Sequence, residues 1–321
     1  MFKSIYSEQL LLYYELRCKV LSESARMHEL CYLRRFDQYL FDHIFSPGEI
    51  TELFINNWVR TVTGKSGSVE NEIIVVRQFL KYLALSGETI FIPIIPKVHD
   101  DYMPYIFSDD EIALIFNRAD RLVVSDKKAD PWLVIEFPII IRLLYSCGLR
   151  LGETVRIIMQ DVDLENGILR LINTKGDKHR LVPMSPAMAD ILTQYVMVMG
   201  LAQNSSGWLF PSSMNDEHIS EKSISHKFTK LLKDAGIRTD NYCKYERGPC
   251  LHCLRHVFAF KSFSKAEHAG RQLNDAIPFL SIYLGHDRLD ETVKYLKFSS
   301  ELFPETVELF GSYMNDLLPE V

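Results

Sequence analysis

Leu251-His252-Cys253-Leu254-Arg255-His256-Val257-Phe258-Ala259 is the densest polar cluster in the chain. It starts a helix on which His252 and Arg255, three residues apart, lie on one face, so a cation and a proton carrier point the same way. The same stretch allows a competing reading. Cys243, Cys250 and Cys253 with His252 and His256 include a Cys-x2-Cys pair and offer zinc donors, although no second well-spaced Cys-x2-Cys or His-x3-His pair completes a site.

Downstream, Leu284-Gly285-His286 turns the chain at a glycine, and Tyr295 follows nine residues after the histidine. A tyrosine hydroxyl has a free pKa of about 10, so it attacks an ester at neutral pH only where its proton is taken and the electrophile is polarised. With fifteen tyrosines in the chain, Tyr295 alone reads as core or surface. Upstream, Gly148-Leu149-Arg150-Leu151-Gly152-Glu153 places an arginine at a helix-breaking turn with a glutamate three residues on. Glu153 can orient Arg150 and leave guanidinium donors facing an anion, but in isolation the motif reads more readily as an ordinary ion pair at a helix start. Residues 168–172 and 180–182 alternate as two strands around Thr174-Lys175-Gly176-Asp177-Lys178, a hairpin with lysines at its tip.

A chain of 321 residues predicts two domains. Residues 4–22, 24–43, a helix opening at Ser46-Pro47-Gly48-Glu49, and another capped at Ser68 form an expected all-α domain over 1–88. Arg77 and Lys81 share the polar face of its last helix. Pro93, Pro96 and Pro104 break a β-branched run, which puts a linker at 89–107. Ser108-Asp109-Asp110-Glu111 is a capping box that starts the second domain, 108–321. Helices are expected at 131–146, 186–199, 224–235 and 276–283, with 261–274 irregular, and Lys244 and Arg247 in a loop over 241–248.

The formal charge of −6 argues mildly against a nucleic-acid partner, because phosphate contacts need Lys and Arg. Neither portion is a basic arm: residues 1–105 hold 11 basic and 13 acidic side chains, and the remainder 25 and 29. Any DNA surface is therefore local. No uncharged run reaches the roughly 18 residues of a membrane helix, and the N-terminus, with Lys3, Glu8 and Glu15, lacks signal-peptide architecture. Six cysteines without such a signal read as free thiols in a cytoplasmic protein.

In order, Arg150 with Glu153, Lys175 in a hairpin, His252-x-x-Arg255, Leu-Gly-His286 and Tyr295 nine residues later resemble the tyrosine recombinase, or phage integrase, family. Leu254-Arg255-His256-Val257-Phe258-Ala259 is similar to that family's Leu-Arg-His-x-Phe-Ala run. The motifs span 108 to about 300. The resemblance implies a mainly α fold with a small β-sheet, built as a two-domain DNA clamp of a helical core-binding domain and a catalytic domain. It implies that Tyr295 attacks a DNA phosphodiester, with Arg150 and Arg255 on the non-bridging oxygens. His286 would add a phosphate hydrogen bond, Lys175 would protonate the leaving 5′-oxygen, His252 would assist proton transfer, and Glu153 would hold Arg150.

No metal or ATP is expected, and no Gly-rich Lys-Ser/Thr nucleotide loop occurs in the sequence. The implied partners are double-stranded DNA with specific recombination sites and further copies of the chain, a tetramer at synapsis, with accessory proteins left open. Arg77, Lys81, Lys244 and Arg247 are candidate phosphate contacts. Two departures from the family pattern stand out: a longer interval between Arg255 and His286, with 265–276 as the insertion, and Leu-Lys-Phe after Tyr295 in place of Thr-His. Residues 304–318 resemble an exchange helix. A type IB topoisomerase-like nicking and closing enzyme and a DNA-binding protein without catalysis remain the alternatives.

Overall fold

The computed structural model describes residues 2–46, 48, 50–87, 90–96, 104–123, 130–174, 178–239, 248–286, 289 and 292. The chain divides into two compact units, Met1–Tyr102 and Met103–Val321. Among the described residues no helix is long and apolar enough to cross a membrane.

The first unit holds α1 (Ser7–Cys18), α2 (Glu23–His43), α3 (Glu52–Thr61) and α4 (Ser66–Ala84). Their apolar stripes meet in one core, where the Phe36 ring stands edge-on to Trp58 at 4.9 Å and Phe79 stands edge-on to Tyr13 at 5.5 Å. Two of the expected helix starts move. Ser46 does not open α3: Gly48 has φ +88°, incompatible with a first helical turn, and Thr51 instead accepts from Phe54 N–H. Likewise α4 begins two residues before Ser68, with Lys65 at its N-cap.

The second unit runs α5 (Asp109–Asp120), α6 (Leu133–Cys147), α7 (Leu151–Val155), β1 (Val162–Asp163), β2 (Ile168–Thr174), β3 (Lys178–Pro183), α8 (Pro186–Met199), α9 (Glu221–Asp234), α10 (His252–His268) and α11 (Leu273–Leu284). The Ser108 capping box forms as the sequence predicts, with Ser108 Oγ accepting from Glu111 N–H and the Glu111 carboxylate accepting from Ser108 N–H. Apolar on nearly every side, α6 is the central helix and its residues fill the largest core cluster. The sheet is antiparallel in the order β1-β2-β3, with Leu169 opposite Val182 and Leu171 opposite Arg180. The fold is thus mainly α with one small sheet.

The expected irregular stretch from 261 is corrected: α10 continues to His268. Of its polar residues, Lys261 Nζ donates to Asp109 and, at 2.9 Å, to Tyr145 Oη, while Ser262 Oγ donates to the Phe258 carbonyl within the helix. The 265–276 segment is accordingly the end of α10, a turn at Gly270 with φ +72°, and the start of α11.

Candidate active site

The chain reverses at the end of α6 because Gly148 adopts φ +62°, the left-handed conformation that closes helices. A Cβ on Gly148 would lie 2.4 Å from Phe258 Cδ1, so only glycine lets α10 come this close. Two residues on, Arg150 is the N-cap of α7 and Glu153 its third residue. Glu153 Oε2 accepts from Arg150 N–H at 3.1 Å, and Glu153 Oε1 accepts from Arg150 Nη1 at 2.8 Å.

Arg255 is 1% exposed within α10. Its Nη1 donates to the Gly148 carbonyl at 2.6 Å and its Nη2 to the Leu284 carbonyl at 2.7 Å. Arg150 Nη2 donates to the next carbonyl, that of Gly285, at 3.2 Å. Gly285 terminates α11 with φ +65°, which turns its last carbonyls toward these cations, where the negative end of the helix dipole also lies. Both arginines, 105 positions apart in sequence, therefore grip one helix end.

His286 follows directly. Its Nε2 lies 2.9 Å from Arg255 Nη2 and its Nδ1 2.6 Å from Thr292 Oγ1. Burial, then Arg255, Arg150, His252 and Arg180, pull its pKa down to about 3, so the ring is neutral at pH 7. Burial alone would raise the Glu153 carboxyl, but Arg180 and Arg150 hold it below the usual carboxylate range and keep it ionised.

Arg150, Glu153, Arg255 and His286 are thus brought together. His252 is only partly as expected. It is the first residue of α10, but it is exposed, its ring standing edge-to-face on His256 at 4.7 Å, whereas Arg255 turns inward. Lys175, Tyr295, Lys244 and Arg247 lie outside the described residues, as do 304–318. In the first unit, Lys81 is exposed, while Arg77 Nη1 donates to the Pro93 carbonyl and ties α4 to the segment that follows it.

Cys250 and Cys253 sit with sulfurs 3.8 Å apart, and Cys243 is outside the described residues. Among the described residues no group of three His, Cys, Asp or Glu side chains is placed to hold a metal ion.

Two residues of this site escape sequence reasoning. Thr292, fully buried, carries no signal of its own. Arg180 does: along β3, Val182 points inward and Leu181 outward at 62% exposure, so Arg180 falls on the inward face. A charge at a core-facing register requires a partner, and Arg180 finds one in Glu153, with Nη2–Oε2 at 2.7 Å and Nη1–Oε1 at 3.3 Å.

The chain can be set beside known proteins. The protein y4rB of Sinorhizobium fredii is 31% identical over 242 residues, covering 72% of this chain and 74% of y4rB. Tyrosine recombinase XerC of Staphylococcus carnosus is 24% identical over 242 residues, 74% of this chain and 73% of XerC. The fold is shared with XerH site-specific recombinase bound to a palindromic difH substrate, at a TM-score of 0.69 and 18% identity, over 90% of this chain and 80% of XerH. The model of the Phage integrase family matches residues 108–301, more than half of the sequence and all of the site just described. On that match, the chain belongs to the phage integrase family.

Proposed function

We propose that this member of the family is a site-specific DNA recombinase, a tyrosine-type strand transferase that breaks and rejoins double-stranded DNA by transesterification. The Tyr295 oxygen attacks a backbone phosphorus, the bond from phosphorus to the 5′-oxygen breaks, and a 3′-phosphotyrosyl link forms. Lys175 supplies the proton that the 5′-oxygen takes up, and His252 assists removal of the tyrosine proton. Arg150 and Arg255 hold the non-bridging oxygens, His286 adds a hydrogen bond once the bound phosphate lets its ring take up a proton, and Glu153 orients Arg150. Because the bond energy is kept in the phosphotyrosine, a second 5′-hydroxyl can reverse the step without ATP.

One observation carries the reading: two arginines from distant parts of the chain converge on the C-terminal turn of α11, immediately before a half-buried histidine. Fixed cations stabilise a phosphorane-like transition state, which gathers negative charge, more than the ground state. In this reading residues 1–88 are the core-binding domain, 89–107 the linker and 108–321 the catalytic domain. The enzyme works as a homo-oligomer, a tetramer on two duplexes, and Lys81, Lys244 and Arg247 reach phosphates.

Incubation with a nicked suicide duplex, then denaturing electrophoresis, tests the proposal. Wild type should yield a covalent protein–DNA adduct that is insensitive to a chelator, and Tyr295→Phe should yield none. An adduct that persists in Tyr295→Phe overturns the assignment. Strand exchange between two DNA sites, beyond relaxation of supercoils, separates a recombinase from a nicking and closing enzyme.

A further inference from the structure

The Glu153 carboxylate is shared. Arg150 approaches it with its backbone N–H and Nη1, and Arg180 meets it end-on with both terminal nitrogens. The side chains of Glu153 and Arg180 are each only 7% exposed, while that of Arg150 is 26% exposed, so the inner ion pair is dry and the outer guanidinium faces the open side of the site. Arg180 reaches this position by passing against Gly285, where a Cβ would come within 2.9 Å of its Nη1. Its Nε is buried with no partner among the described residues, so the guanidinium is placed for Glu153 rather than for its own full satisfaction.

The charges give this arrangement a consequence. A carboxylate 2.8 Å from Arg150 fixes its orientation, but it also cancels the charge that Arg150 would present to a phosphate. A second guanidinium on the same carboxylate offsets that loss and leaves Arg150, Glu153 and Arg180 with a net charge of about +1 in a site of low dielectric. Resting on the function proposed above, we propose that Arg180 is a positioning residue that neutralises Glu153, so that Glu153 can orient Arg150 without quenching its pull on the scissile phosphate. Arg180 does not itself touch the phosphate.

Single-turnover cleavage of a pre-bound suicide duplex tests this, with DNA affinity and thermal unfolding measured alongside. Wild type must first form its adduct; failure at that step rejects the recombinase reading itself, independently of the Arg180 variants. Arg180→Met, which keeps volume and removes charge, should slow cleavage roughly tenfold or more, less than direct loss of a transition-state donor, with DNA affinity little changed. Arg180→Lys should cleave within a few-fold of wild type. Adding Glu153→Gln to Arg180→Met should bring the rate to within a few-fold of Glu153→Gln alone, and this comparison holds even if Arg180→Met by itself fails to fold around an unpaired carboxylate. A folded Arg180→Lys as slow as Arg180→Met, or a double variant far slower than Glu153→Gln, overturns the proposal.

Discussion

Arg255 Nη2 lies 2.9 Å from His286 Nε2, and because a guanidinium only donates, the contact makes the imidazole nitrogen an acceptor. The ring proton therefore sits on Nδ1 and is given to Thr292 Oγ1 at 2.6 Å. With three arginines and His252 adding to burial, the free protein holds His286 neutral down to a pKa of about 3.

A first prediction concerns pH. Between about pH 6.5, where an unfolded histidine titrates, and about pH 3, the unfolded state binds a proton at this position that the folded state refuses. Stability should therefore fall as pH is lowered through that window, by about 1.4 kcal/mol per unit from this group, and the slope should lessen in His286→Asn. A bound phosphate would offset the cations that depress the ring, so DNA should raise its pKa. Histidine NMR of Tyr295→Phe with and without duplex reads this directly. An imidazole that titrates near 6.5 in the free protein contradicts the geometry.

The parts of this site that are legible in the sequence are those specified locally. Ser185 with Pro186 and Gly200 bracket α8 at its observed limits, and Ser108 with Glu111 closes its capping box, because each signal acts within a few residues. The features that local patterns misassign depend on distant partners. Within the polar stretch of α10, Lys261 is received by Asp109 and Tyr145, far away in sequence. Arg180 shares the inward face of β3 with Val182 by alternation, but its partner Glu153 lies 27 positions away and is supplied only by the fold. His252 and Arg255 share a helix face by spacing, but only packing decides that one is exposed and the other buried.

Gly148 should be far less replaceable than the left-handed glycines that have open space around them. Gly148→Ala must accept φ +62° and also place a methyl 2.4 Å from the Phe258 ring, at a residue whose carbonyl anchors Arg255. Strain and overpacking together should cost about 2–5 kcal/mol. Gly236→Ala, at φ +73° with nothing within 4 Å of the new Cβ, should cost about 1–2 kcal/mol. Urea denaturation of both variants measures the difference. Equal losses would mean that the Phe258 ring moves aside freely.

Glu136 offers the opposite pH dependence, at a distance from the chemistry. It is 0% exposed on α6, with Tyr195 Oη 3.3 Å from its Oε1, and that hydroxyl also lies 2.8 Å from the Leu209 carbonyl. Burial, reinforced by Asp130, pushes its pKa up to about 8, so the folded protein keeps a proton that the unfolded chain releases near the ordinary carboxyl range. The folded state then binds more protons, and stability falls as pH rises from about 4.5 to about 8, by about 1.4 kcal/mol per unit. Glu136→Gln keeps the shape and removes the ionisation. It should melt close to wild type at about pH 5 and clearly above it at about pH 8, with the gap opening steadily between. A gap that is constant across this range would show that Glu136 is ionised throughout, and would place its charge on a partner beyond Tyr195.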